Sequence, residues 1–319
     1  MKTILIPNTD LRVSRLSLGT AQFGARLTPA DARALLDAYV ILDGNFIDTA
    51  SVYCDWIPGT KSASEKIIGA WLKENGLRDQ LVIATKGAHP ELSSMTVSRL
   101  SPAAISHDVH ASLENLGTDP IDLYWLHRDD RAIPVGEIID PLNDQVKAGH
   151  VRYFGASNWK ADRIQAANDY AAQHGLHGFV ADQPQWSLAV VNADQLPDQT
   201  TTQMDQAALD FHRRTGFPAV AYSSQAHGYF SKLDADQPVS ANDRRDYDNE
   251  VNPRRLKVIQ ALARQHNASI NDIVLAYVLS QTFPTVAVIG PSRVDQLHSS
   301  VTALNVTLSS AEITALESA

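Results

Sequence analysis

Three apolar runs of this chain each end on a titratable residue: Phe46-Ile47-Asp48, Leu81-Val82-Ile83-Ala84-Thr85-Lys86 and Leu123-Tyr124-Trp125-Leu126-His127. Buried strands seldom tolerate charge, so a carboxylate, an ammonium and an imidazole at three successive run ends point to chemistry rather than packing. Tyr53 follows the first run closely. Parallel strands bind ligands where they end, so Asp48, Tyr53, Lys86 and His127 are expected around one pocket. Reduction of a carbonyl leaves a developing alkoxide and needs a proton or hydrogen bond at that oxygen. Tyr53 can donate it. A free phenol titrates at about 10, and Lys86 beside it is expected to draw that value down. Asp48 would keep the buried ammonium charged, and a ring N–H of His127 would orient the carbonyl oxygen.

The elements that must carry these residues alternate short apolar runs with amphipathic stretches, the pattern of βα units. Eight strands are expected, at 15–19, 45–48, 81–86, 121–127, 151–157, 178–182, 218–223 and 285–289, and eight parallel strands close a (β/α)8 barrel. Helix starts are marked by Thr28-Pro29, by Ser101-Pro102 and by the capping-box spacing of Ser309 and Glu312. Ahead of the first strand, 3–7 and 11–15 flank Asn8-Thr9-Asp10, so a hairpin is expected to close the barrel bottom. Ser231 to Arg255 lacks apolar periodicity. It reads as a structureless excursion, either solvated or folded as a flap over the barrel mouth.

Length and composition narrow the classes. The 319 residues suit a single barrel domain spanning 1–319. The net charge of −9, with no Lys/Arg cluster, argues against nucleic acid or anionic membrane and for a small-molecule partner. The N-terminus has no signal-type apolar run and no stretch of 18 apolar residues follows, so a soluble, cytoplasmic protein is expected. The single cysteine, Cys54, excludes an intrachain disulfide. His107 and His110 lie three apart on a predicted helix, whereas a metal-dependent barrel hydrolase would want ligands at strand ends, and no metal is expected.

The runs Asp48-Thr49-Ala50-Ser51-Val52-Tyr53, Ser64-Glu65-Lys66-Ile67-Ile68-Gly69, Ala84-Thr85-Lys86 and Gly117-Thr118-Asp119-Pro120 through His127 resemble the aldo-keto reductases over nearly the whole chain. The resemblance implies a (β/α)8 barrel and a catalytic tetrad of Asp48, Tyr53, Lys86 and His127. It further implies an NADPH site, with NADH as the alternative. Ser157, Asn158 and Gln183 would hold the nicotinamide carboxamide, and Trp186 would lie against the ring face. The turn Tyr222, Ser223, Gln225 and Gly228 would meet the pyrophosphate, clasped by 231–255. Gly290, Ser292, Arg293 and Gln296 would meet the adenosine end, with Ser292 and Arg293 on a 2′-phosphate. Ser299 and Ser300 stand where the family commonly has an acidic or amide residue and Asn.

Phe23, Trp56, His89, Arg128 and Asp129 are the candidates for the substrate mouth, and their polarity favours a hydroxylated carbonyl such as a keto sugar. The chain ends soon after its last helix, so a more open substrate side is expected than in relatives with a long C-terminal loop. A nucleotide-binding sensor or accessory barrel with little turnover is the alternative to an enzyme. The sequence carries no signal for the oligomeric state.

Overall fold

The computed structural model describes residues 1–319. A two-stranded antiparallel hairpin, β1 (Thr3–Leu5) and β2 (Arg12–Ser14), precedes eight parallel strands. These are β3 (Leu16–Gly19), β4 (Phe46–Asp48), β5 (Val82–Gly87), β6 (Ile121–Leu126), β7 (Val151–Ser157), β8 (Asp182–Gln183), β9 (Ala219–Ala221) and β10 (Thr285–Ile289). They pair in chain order, and β10 closes on β3 to complete the barrel. β5 and β6 are buried at every residue, as strands covered on both faces must be.

Twelve helices surround this ring or cap its ends. In chain order they are α1 (Pro29–Ile41), α2 (Ala63–Asn75), α3 (Pro102–Leu116), α4 (Val135–Lys147), α5 (Ala161–His174), α6 (Gln206–Thr215), α7 (Tyr229–Asp234), α8 (Ala241–Tyr247), α9 (Val251–His266), α10 (Ile270–Leu279), α11 (Val294–Thr302) and α12 (Ser310–Glu317). The marked starts hold: Thr28 and Asp31 cap α1 reciprocally, Ser101 caps α3, and Ser309 and Glu312 cap α12. No helix is long and apolar enough to cross a membrane.

The hairpin residues Ile6, Leu11 and Val13 share a cluster with Phe46, Val82, Leu123, Val220 and Val286, which point into the barrel near its strand starts. The bottom is therefore sealed. Polar side chains are left to gather at the opposite end, where β4, β5 and β6 finish.

Two expectations need correction. The strand expected at 178–182 follows β7, with the Val180 N–H donating to Phe154 and the Ala181 carbonyl accepting from Ala156, but it forms a regular ladder only at Asp182–Gln183, and Asn168 of α5 takes both the backbone N–H and the carbonyl of Phe179. The stretch 231–255 is not structureless; it forms most of α7, all of α8 and the start of α9. Its polar residues are spent on caps and cross-links: Ser240 caps α8, Asp243 receives His227 and Lys232, and buried Asn252 bridges Val190 and Tyr247. Helices of six and seven residues bury too few apolar side chains to print a period in the sequence. The long irregular connection is instead 184–205, which holds only one short 3-10 turn.

Candidate active site

Asp48 ends β4, Lys86 lies next to the end of β5, and His127 directly follows β6. Tyr53 belongs to the connection after β4, which is fastened to its neighbour strand: the Ser51 N–H and Oγ both donate to the Lys86 carbonyl at 3.0 Å. That anchoring brings the phenol back over the barrel. All three donors of the Lys86 ammonium are committed, to Asp48 Oδ2 at 2.5 Å, the Thr49 carbonyl at 2.8 Å and the Tyr53 oxygen at 3.0 Å. Asp48 is held in turn, since its Oδ1 accepts from Gln183 Nε2 at 2.8 Å and Trp125 Nε1 at 3.1 Å. Trp125 has room for this only because residue 155 is glycine; a Cβ there would lie 2.4 Å from the indole ring.

Burial sets the electrostatics. It would depress the Lys86 ammonium, but Asp48 and Tyr53 outweigh it and leave Lys86 above its ordinary value. The Tyr53 phenol corrects the expectation from sequence: burial raises it, and Lys86 offsets this only in part while Asp48 adds to the rise. Tyr53 is therefore a protonated phenol at neutral pH. Its oxygen accepts from Lys86, so its own O–H remains free to donate. Burial, with help from Arg128, His89 and Lys86, pushes His127 well below its usual range, so the ring is neutral. Its Nδ1 is sealed off without a partner. The single ring proton is better placed on Nε2, because a buried N–H without an acceptor is the costlier arrangement.

The carboxamide candidates form one cluster. Ser157 Oγ donates to the Gln183 carbonyl at 2.9 Å, and Asn158 Nδ2 donates to the His127 carbonyl at 3.1 Å. Asn158 Oδ1 accepts from the Thr202 N–H and from the Tyr222 hydroxyl at 2.7 Å. Gln183 uses its Nε2 on Asp48, which leaves Oε1 as a buried acceptor without a partner. Trp186 does not join them. It lies three residues past the inward-facing Gln183, stacks on Phe283 at 5.8 Å and meets Tyr277 edge-on at 6.0 Å, within the layer between barrel and helices. The aromatic ring beside the polar cluster is Tyr222.

Ser223, Gln225 and Gly228 lie in the turn after β9, and Gln225 Nε2 reaches Asn271 at 2.8 Å and Ser300 at 3.2 Å. Ser300 thus ties that turn to α11. After β10 and Gly290, the Ser292 N–H and hydroxyl both donate to Gln296 Oε1 at 2.8 and 2.9 Å. Arg293 makes a bidentate pair with Asp295 at 2.9 Å on the open surface.

At the mouth, Trp56 is 49% exposed with its ring 6.5 Å from that of Tyr53, and His89 lies 4.7 Å from His127. Three other candidates are committed elsewhere. Phe23 is buried in the helix-facing core, Asp129 turns to Arg163 at 3.3 Å, and Arg128 donates to Asp198, Thr200 and the His127 carbonyl, each at 2.7 Å. Asp198, Thr200 and Thr202 carry no local motif that marks them in the sequence. They fasten the 184–205 connection to the residues after β6 and β7, and its unusual length was the available signal. No group of three or more His, Cys, Asp or Glu side chains is arranged to hold a metal ion.

An eight-stranded α/β barrel with Asp, Tyr, Lys and His converging at its open end defines the class of carbonyl-reducing oxidoreductases. Residues 15–319 match the model of the aldo/keto reductase family, and the chain belongs to that family. It is similar to norsolorinic acid reductase B of Dothistroma septosporum, 29% identical over 99% of this chain and 80% of the relative. Aldo-keto reductase ausK of Emericella nidulans is 31% identical over the same shares. Among solved structures, the thermostable aldo-keto reductase Tm1743 in complex with the inhibitor epalrestat superposes with a TM-score of 0.75 at 23% identity. That alignment covers 100% of this chain and 99% of the other, a likeness of fold.

Proposed function

We propose that this oxidoreductase reduces an aldehyde or ketone with NADPH, Tyr53 donating the proton. The observation that carries the reading is the Lys86 ammonium, which binds Asp48 and the Tyr53 oxygen at once while the phenol proton stays free. The substrate oxygen lies between the Tyr53 hydroxyl and His127 Nε2. His127 fixes its direction and Tyr53 delivers the proton as charge develops there. The phenolate left behind stays against Lys86, whose charge Asp48 maintains. When bound, the nicotinamide supplies the hydride to the carbonyl carbon.

The residues fit that cofactor. Gln183 Oε1 lacks a donor that a carboxamide N–H would provide, beside Ser157 and Asn158, and the Tyr222 ring takes the stacking role expected of Trp186. Ser223, Gln225 and Gly228, in the turn after β9, would meet the pyrophosphate, and Gly290, Ser292, Arg293 and Gln296, after β10, the adenosine end. A 2′-phosphate has to displace Asp295 from Arg293, and its greater charge and three acceptor oxygens favour the exchange. The mouth formed by Trp56 and His89 suits a small hydroxylated carbonyl.

The test is a panel of aldehydes and ketones with each dinucleotide, followed by nicotinamide absorbance, on wild type and Tyr53→Phe. Turnover by wild type that is lost in the variant supports the reading. Tight dinucleotide binding without turnover of any carbonyl would favour a sensor or accessory role instead.

A further inference from the structure

His89 is the polar ring beside His127 that the proton transfer does not use. It lies three residues after Lys86, is 7% exposed, and meets His127 edge to face at 4.7 Å and 69°. Its Nδ1 lies 2.6 Å from the Pro90 carbonyl oxygen. A carbonyl oxygen only accepts, so Nδ1 carries the ring proton. Burial and the nearby Arg128 guanidinium lower His89 from its ordinary value, and the ring is neutral at physiological pH. A neutral ring protonated at Nδ1 leaves a bare lone pair on Nε2. That atom has no protein partner, yet it is not among the nitrogens sealed from solvent.

The mouth therefore presents two imidazoles of opposite sense. His127, protonated on Nε2, carries a donor, and the adjacent His89 ring, protonated on Nδ1, carries an acceptor. We infer that His89 Nε2 accepts a hydrogen bond from a substrate hydroxyl next to the carbonyl, so that the enzyme selects α-hydroxy carbonyls over their deoxy counterparts. The inference rests on the carbonyl-reductase reading above and names the substrate class of that same site. A methyl group in place of the hydroxyl would leave the nitrogen desolvated and unpaired, and sites built to bond a hydroxyl reject such analogues.

Hydroxyacetone and butanone differ by one hydroxyl against one methyl and make the matched pair. Wild type is expected to favour hydroxyacetone in kcat/KM. In His89→Phe the rate constants for both ketones fall, and that for hydroxyacetone falls about tenfold further, the equivalent of one hydrogen bond to a group left unpaired. The excess loss should be in KM as well as kcat. His89→Gln, whose side-chain carbonyl can serve as an acceptor there, should keep the preference for hydroxyacetone. An equal loss for both ketones in His89→Phe, or a preference lost equally in His89→Gln and His89→Phe, overturns the inference while leaving the carbonyl-reductase reading intact. Absence of turnover of the whole carbonyl panel by wild type overturns both.

Discussion

Replacing Asp48 with Asn tests the buried charge pair on which the site depends. Asp48 and Lys86 are each 2% exposed, and the carboxylate takes one bond from Lys86 on Oδ2 and two, from Gln183 and Trp125, on Oδ1. An amide cannot serve both sides. With its oxygen toward Lys86 its NH2 faces two donors, and with the reverse orientation it faces the ammonium. Removing one partner of a buried ion pair costs about 3–5 kcal/mol. Unfolding entropy of about 2.1 cal/mol/K per residue over 319 residues turns that cost into a fall in Tm of roughly 5–7 °C. The pH dependence adds a sharper check. In wild type Lys86 sits above its ordinary value, so its contribution is fully present below the unfolded pKa of about 10.4 and is lost only as pH rises through the higher folded value. In Asp48→Asn, burial is no longer opposed by the carboxylate, and the folded lysine drops below its unfolded value. The variant is then weakest at neutral pH and recovers as pH rises through the depressed value. Thermal unfolding of both proteins at pH 7 and near pH 9.5 reads the two gaps. A fall in Tm under about 2 °C, or a gap that does not narrow at the higher pH, would refute the reasoning.

Tyr53→Phe should lower kcat by about 10²–10⁴-fold with cofactor affinity nearly unchanged, measured by single-turnover rates and dinucleotide titration; retention of a tenth of kcat would exclude Tyr53 as the donor. From pH 7.5 to 9 the reduction rate should stay flat, because His127 and His89 are lowered from their ordinary values and stay neutral there, while Tyr53 is raised above its own. Activity is then lost on the alkaline side as the phenol ionises, and a break between pH 7.5 and 9 would contradict that. Arg293→Ala should weaken NADPH by roughly tenfold and leave NADH little changed, whereas Asp295→Asn should tighten NADPH by freeing the guanidinium. Equal effects on both dinucleotides would mean that Arg293 does not read the phosphate. Trp186→Ala should cost about 3–5 kcal/mol in chemical denaturation through its lost packing, while Tyr222→Ala should raise the dinucleotide Kd; the opposite pattern would return the stacking role to Trp186.

What the sequence determined by itself was encoded locally. Strand ends carrying Asp48, Lys86 and His127 stand out because charge is costly inside a strand, and Thr28-Pro29 and Ser101-Pro102 announce helices because a capping bond spans only three residues. Eight apolar runs gave the barrel for the same reason. The tertiary structure decided the features that depend on which distant group lies opposite. Trp186 and Tyr222 are both aromatic residues at strand ends, and only the packing of Phe283 and Tyr277 draws Trp186 away from the mouth. Arg128 and Asp129 look like free charges until Asp198, 70 residues away, and Arg163, 34 away, claim them. The helices within 231–255 are held by caps and cross-links such as Asn252 to Val190, which leave no hydrophobic period to read. The level of the Tyr53 phenol follows the same logic: its neighbour Lys86 is legible in the chain, but the burial that outweighs Lys86 exists only once the barrel has closed around both.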